Sequence, residues 1–173
     1  PGTCRHKTMV KTPHASRVIV DSRPIAFEDA IQGQIEQNLA HDIGDFVLKR
    51  ADALYAYQLA VVVDDAEQEI THIVRGADLL NNTARQVHLQ HVLGYATPKY
   101  LHLPLVLDEH GEKLSKQTLA SAIHTENPQQ ALQELRKAAE HLGLRDLPDG
   151  KDTSLAEWLL AATQAWDRKI TSS

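Results

Sequence analysis

Two lysines and a serine in the pentapeptide Lys113-Leu114-Ser115-Lys116-Gln117 are the residues of this chain whose types and spacing suit phosphate chemistry. A lysine is a compact charge on a flexible stem, able to follow a phosphate oxygen as negative charge shifts during bond breaking. The pentapeptide comes after an extended apolar run, Tyr100 to Leu107, and a polar turn, Asp108-Glu109-His110-Gly111. A strand that ends in a glycine-containing turn and then delivers such groups suits a mobile loop over a polyphosphate. Taken alone the pattern is weak, because most tetrapeptides of this kind are solvated surface.

Other groups invite chemistry and mostly resist it. Asp64-Asp65 suggests paired-carboxylate catalysis, but adjacent residues on a helix point in different directions, which favours solvated or capping roles. His88 and His91 share a helix face, yet no further ligand set lies near them in sequence, so no metal site is expected there. The two tryptophans, Trp158 and Trp166, read as core packing of a helical unit.

These residues sit in a chain of 173, enough for one sizeable domain or a domain with a small appendage. The composition, 42% hydrophobic and 24% charged, is that of an ordinary globular protein, and no apolar run approaches bilayer length. One cysteine cannot build an internal disulfide framework and suits a reducing cytoplasm. A net charge of -5 disfavours non-specific attraction to nucleic acid, so an RNA partner would have to be held by local basic patches. No basic cluster with interleaved aromatics stands out.

The elements that must position the chemistry follow from pattern. Residues 1–16 are polar and basic and read as irregular. Arg17 to Asp21 is a short strand that Pro24 ends; Ile25 to Asp29 and Ile31 to Ile35 alternate as two strands of a hairpin; Asp45 to Lys49 is another strand. Tyr55 to Ala66 contains Val61-Val62-Val63, which argues for a buried strand by propensity, while its length allows a buried helix equally well. Ile70 to Arg75 is a strand stopped by Gly76, and Asn82 or Thr83 caps a helix running to Leu93 with Gly94 as terminator. With the Tyr100–Leu107 strand this makes a βαβ unit. Asn127-Pro128 opens a helix with the apolar stripe Leu132, Leu135, Ala139 and Leu142, closed by Gly143. Ser154 and Glu157 form a capping box for a last helix, and a linker lies between Leu144 and Thr153.

With Arg75-Gly76-Ala77-Asp78-Leu79-Leu80, then Thr83-Ala84-Arg85-Gln86, then Lys113-Leu114-Ser115-Lys116-Gln117, the chain resembles the glutamate-specific class I aminoacyl-tRNA synthetases, whose KMSKS signature the last pentapeptide matches. It is more similar to the short glutamyl-Q tRNA(Asp) synthetase branch than to full-length glutamyl enzymes. Tyr55-Ala56-Tyr57-Gln58-Leu59-Ala60-Val61-Val62-Val63-Asp64-Asp65 follows that branch's wording, and RGAD replaces the more usual RGED. Only a short stretch follows Lys116, where full-length enzymes carry anticodon-binding domains. The resemblance covers nearly the whole chain, and it makes the segment through the three valines a helix.

The resemblance implies an α/β fold: the second half of a nucleotide-binding, Rossmann-like parallel sheet (45–124), an antiparallel connecting insertion (1–44) and a helical C-terminal unit (125–173). It implies activation of L-glutamate with ATP and Mg, then transfer of the glutamyl group to the cyclopentenediol of queuosine at the wobble position of tRNA(Asp). Tyr57 and Arg75 match the positions that hold glutamate, and Lys116 matches the ATP-contacting catalytic lysine. Physical sense supports these matches. A carboxylate is best held by a planar bidentate cation, and the C-terminal end of a strand is where open α/β sheets bind ligands. Without the resemblance, an ordinary ion pair of Arg75 with Asp78 or Asp64 would be the simpler reading, and Tyr57 would be a half-buried core tyrosine.

Two departures shape the expectation. No HIGH-type signature occurs, and Pro1-Gly2-Thr3-Cys4 reads like the interior of a protein. We therefore expect the C-terminal portion of a longer synthetase, inactive in amino-acid activation on its own. Cys4 matches the last ligand of the family's structural zinc site, whose other ligands would lie upstream; one cysteine cannot make a four-coordinate site, with His6 the nearest substitute. We expect a cytoplasmic monomer with no membrane association. The competing readings are a non-catalytic tRNA- or protein-binding module derived from a synthetase, and a fragment of a true glutamyl-tRNA synthetase.

Overall fold

Asp45 organises the N-terminal part of the fold by doing with its side chain what a strand would do with its backbone. In the computed structural model, which describes residues 5–6, 12–114, 123, 125–150 and 153–171, strand β1 (Ser16–Val18) pairs antiparallel with β4 (Phe46–Lys49). The expected strand to Asp21 stops at Val18. Val20 leaves the ladder to enter the core at 1% exposure, and its N–H is taken by the Asp45 carboxylate at 3.1 Å.

Strand β2 (Ile25–Asp29) forms the expected hairpin with β3, but β3 runs Gly33–Gln37 rather than Ile31–Ile35. The reason lies in Asp29, whose Oδ1 accepts the N–H groups of Ile31 (3.1 Å) and Gln32 (2.9 Å) and so withdraws both from the ladder. Gly33 then turns the chain at φ +76°, where a side chain would be strained. A four-residue helix that no local pattern announces, α1 (Leu39–Asp42), follows; Asn38 caps it by accepting from His41 N–H.

Helix α2 (Tyr57–Glu67) holds the three valines. β-Branching costs a helix only a few tenths of a kcal/mol per residue, and burying Val62 to 2% exposure outweighs that. Strand β5 (His72–Gly76) leads through a 3-10 turn (Ala77–Leu79) into α3 (Leu80–Leu93). This helix starts two to three residues before the expected cap and has no side-chain cap, because Asn82 and Thr83 turn their polar groups to other partners. Gly94 terminates it in the left-handed conformation, as expected.

Strand β6 (Lys99–Leu103) ends short of Leu107, where Pro104 can donate nothing to a ladder. The sheet order is β3-β2-β6-β5, with β2 and β6 parallel. The Lys99 N–H donates to Thr71 C=O at 3.0 Å, so β5 and β6 run side by side from their N-terminal ends, with α3 as the connection. Val20, Phe27, Leu39, Phe46, Val62, Ala84, Val87, Leu89 and Tyr100 form the core of this part, with Phe27 edge-on to Tyr100 at 5.8 Å. The architecture is a mixed α/β fold with a parallel pair in its sheet.

The chain divides into two compact units, Pro1–His102 and Leu103–Ser173. In the second, Leu107 bridges Lys113 across a tight turn, helix α4 (Pro128–His141) is capped by Asn127, and α5 (Leu155–Thr171) buries Trp158 to 2% exposure. The capping box forms: Ser154 Oγ and Glu157 Oε2 lie 2.7 Å apart, and each accepts from the other's backbone N–H.

Candidate functional site

Arg75 closes β5 one residue before its end, and the packing behind it fixes which way its guanidinium points. Its Nε–H donates to His102 Nε2 at 3.0 Å, and Nη2 donates to Thr83 Oγ1 at 2.8 Å. The guanidinium carbon lies 5.4 Å from the centre of the Tyr100 ring, in cation–π range. Tyr100 in turn stacks on His102, the ring planes 14° apart.

Neither partner of Arg75 is an acid. Among the described residues no ion pair joins Arg75 to Asp64 or Asp78, and no acceptor engages its Nη1. A half-buried guanidinium held by neutral acceptors keeps its full charge for something else. That is the property a carboxylate site needs.

The support extends inward. His102 (0% exposed) donates from Nδ1 to Asp29 Oδ2 at 2.6 Å, and Asp29 is 2% exposed. Burial opposes ionisation of Asp29, but donors from Gln32, His102 and Ile31 outweigh it and hold the carboxyl below its ordinary value. Three elements converge here: the end of β2 gives Asp29, β5 gives Arg75 and β6 gives His102, while α3 adds Thr83. Asp29, Thr83 and His102 were not singled out from sequence for this role. The available signal was a pair of buried-type strands ending in polar residues, which is too common to select.

Tyr57 is the first residue of α2 and is 53% exposed. Behind it, Gln58 donates to Asn82 Oδ1 at 2.8 Å and accepts from Gln86 Nε2 at 2.9 Å, a polar seam between α2 and α3. Arg85 joins the seam by donating to Asn82 Oδ1, and burial pushes its guanidinium pKa down. The matched stretch Thr83-Ala84-Arg85-Gln86 thus serves two purposes: Thr83 orients Arg75, and Arg85 and Gln86 tie α3 to α2.

In the second unit, Asp108 Oδ1 accepts from His110 and Glu112 N–H, both at 2.9 Å, and Leu114 N–H returns to Val106 C=O at 2.8 Å. Gly111 makes the reversal at φ +79°. The expected polar turn therefore delivers Lys113 and Leu114 on its returning arm. Ser115, Lys116 and Gln117, like Cys4, lie outside the described residues. Among the described residues no three His, Cys, Asp or Glu side chains gather in a way that could hold a metal ion, and no helix is long and apolar enough to cross a membrane.

Comparison with known proteins converges on one group. The glutamyl-Q tRNA(Asp) synthetase of Cupriavidus metallidurans is 54% identical over 173 residues, covering 98% of this chain and 54% of the relative. That of Janthinobacterium is 51% identical over 176 residues, covering 98% and 58%. The chain thus spans about half the length of the curated relatives it matches. Among solved structures, a glutamate tRNA ligase from Elizabethkingia meningosepticum in complex with its amino acid superposes with a TM-score of 0.53 and 35% identity, over 58% of this chain and 20% of that one. The family described as tRNA synthetases class I (E and Q), catalytic domain, matches residues 3–156. With nine-tenths of its length inside that match, the chain belongs to the class I tRNA synthetases of the glutamate and glutamine group, in their catalytic domain.

Proposed function

We propose that this chain carries part of the site in which glutamate is activated by ATP and its glutamyl group is passed to queuosine at the wobble position of tRNA(Asp). The observation that carries the reading is Arg75: a half-buried guanidinium at the end of β5, aligned by His102 and Thr83, with no ion pair to an acid among the described residues. The relatives called glutamyl-Q tRNA(Asp) synthetases, and the ligase structure holding its amino acid, support glutamate as the carboxylate.

In the first step a glutamate carboxylate oxygen attacks the α-phosphorus of ATP, and pyrophosphate leaves to give the acyl-adenylate. A hydroxyl of the queuosine cyclopentenediol then attacks the acyl carbon, and AMP leaves. Neither step needs a protein nucleophile, so the chain contributes positioning and charge. Arg75 and Tyr57 hold the amino acid. Lys113 and Lys116, in the loop Lys113-Leu114-Ser115-Lys116-Gln117, meet the negative charge that develops on the phosphates, with Lys116 contacting ATP. Residues 1–44 serve as the connecting insertion, 45–124 as the second half of the nucleotide-binding domain, and 125–173 as the helical unit. Zinc at Cys4 belongs to this proposal only if ligands from outside the chain complete the site.

The test is glutamate-dependent ATP–pyrophosphate exchange by the intact protein, paired with its transfer of labelled glutamate to periodate-sensitive queuosine in tRNA(Asp). Exchange lost in both Arg75→Ala and Lys116→Ala supports the assignments; exchange unchanged in both rejects them. Label appearing on tRNA(Glu) instead identifies a true glutamyl-tRNA synthetase. Salt-sensitive tRNA binding with no exchange identifies a non-catalytic module.

A further inference from the structure

A buried acid two side chains behind Arg75 is poorly explained by packing alone. Asp29 and His102 are at most 2% exposed, and burying an acid and an imidazole is costly unless their hydrogen bonds are complete. They are nearly complete, and the pattern is directional. Asp29 Oδ1 accepts from Ile31 and Gln32 N–H and, at 3.3 Å, from His102 N–H, which leaves Oδ2 for the ring. An ionised carboxylate only accepts, so the 2.6 Å contact places the proton on His102 Nδ1.

Arg75 only donates, so the ring nitrogen it meets must be bare. His102 is therefore neutral, with Nδ1 protonated and Nε2 carrying the lone pair. That single lone pair is used by Arg75 Nε–H. The Thr83 hydroxyl, 3.2 Å from the same nitrogen, then has its proton free for Leu79 C=O at 3.4 Å and its oxygen free to accept Arg75 Nη2. Every proton in the chain of contacts is assigned once the charge state of Asp29 is set.

We infer that Asp29 is a positioning residue that selects the imidazole tautomer of His102, and thereby the pose in which Arg75 presents its free edge to a carboxylate. The inference rests on the reading of Arg75 as the glutamate-binding cation, and it explains why, among the described residues, the guanidinium's hydrogen-bond partners are His102 and Thr83 rather than an acid. An acid touching Arg75 directly would orient it equally well but would compete with the substrate carboxylate. Relayed through a neutral ring, the orientation is kept and the charge is not spent.

Asp29→Asn is close to isosteric. Its oxygen can still accept the backbone N–H groups, and its amide group, as a donor, meets Nδ1 and drives the ring proton to Nε2, which can no longer accept from Arg75. The experiment is nitrogen-15 NMR of the ring nitrogens of His102 and of Arg75 Nε in the full chain, followed by titration with L-glutamate. In the wild-type protein we expect a protonated Nδ1, a bare Nε2 and a slowly exchanging Arg75 Nε–H. In Asp29→Asn we expect the protonated nitrogen to switch, the Arg75 Nε–H to exchange rapidly, and glutamate affinity to fall about tenfold or more. His102→Gln, whose carboxamide oxygen can replace Nε2 as acceptor, should retain more affinity than His102→Leu.

A wild-type ring protonated at Nε2, or an Arg75 Nε–H equally protected in Asp29→Asn, overturns the inference. So does a switched tautomer with unchanged glutamate affinity when Arg75→Ala abolishes binding. If the wild-type chain and Arg75→Ala respond alike to glutamate, it is the carboxylate reading of Arg75 that falls, and the nitrogen signals still decide whether Asp29 controls the guanidinium. Should Asp29→Asn fail to fold, the wild-type ring nitrogens and the His102→Gln and His102→Leu pair carry the same decision.

Discussion

Asp65 lies near enough to Arg75 for the guanidinium to pull on its carboxyl, yet no ion pair joins the two. Burial pushes the Asp65 carboxyl up from its ordinary value, Arg75 pulls it partly back, and Asp64 adds a further push upward. A carboxyl whose pKa is higher in the folded state favours folding while it is protonated. That contribution is complete below the unfolded value, about 4, and is lost as pH rises through the folded one. Asp65→Asn is therefore expected to stabilise the protein at pH 7 and to change little near pH 3. Urea midpoints at the two pH values check this, and an unchanged midpoint at pH 7 rules it out.

Removing the cation should cost function more than fold. In Arg75→Ala the Thr83 hydroxyl can donate to His102 Nε2, already 3.2 Å away, so no buried acceptor is left bare. We expect a native circular dichroism spectrum and, in the intact protein, glutamate-dependent exchange reduced about 10- to 100-fold, the scale of a lost charge-assisted hydrogen bond. Arg75→Lys should recover little, since a single ammonium cannot keep both neutral acceptors and a carboxylate in one plane.

Acid should act first at the N-terminal ladder. Arg5, and less strongly the Val20 N–H and Arg17, draw the Asp45 carboxyl down to about 2. A depressed folded pKa means stability that is present above the unfolded value of about 4 and lost as pH falls toward about 2. Asp45→Asn should flatten this part of the pH–stability curve and loosen β1, whose departure at Val20 depends on that carboxylate. Hydrogen exchange of the Val20 amide at pH 5 reads the loosening directly.

Gly94 isolates a backbone effect. Its φ is +74°, and a Cβ built there meets nothing within 4 Å, so Gly94→Ala adds left-handed strain without a clash. A loss of about 1 kcal/mol is expected from chemical denaturation, with no change in glutamate binding.

Much of the scaffold was written locally. The hairpin at Ile25, the helix opened by Asn127 and Pro128, the Ser154–Glu157 box and the Gly94 terminator each depend on residues a few positions apart, where capping, turn and alternation rules operate. Where the structure departs from the local pattern, a distant partner intervenes. Asp45 took the Val20 amide from 25 residues away, and Thr83 gave its hydroxyl to Arg75 instead of capping a helix. The valine run shows the same limit: propensity favoured a strand, and packing of α2 against α3 made it a helix.

The order of motifs in the sequence was sufficient to name the family and to put Arg75 forward as a candidate, because those signals are residue identities and spacings. Which groups stand behind Arg75 was decided only in three dimensions. Asp29 and His102 are 73 positions apart, and nothing in either neighbourhood announces the other. They meet because β2 and β6 run parallel in one sheet, bringing an acid and an imidazole to the same end of it. Hydrogen bonds of that kind are set by strand pairing, a long-range property that no local pattern of residues encodes.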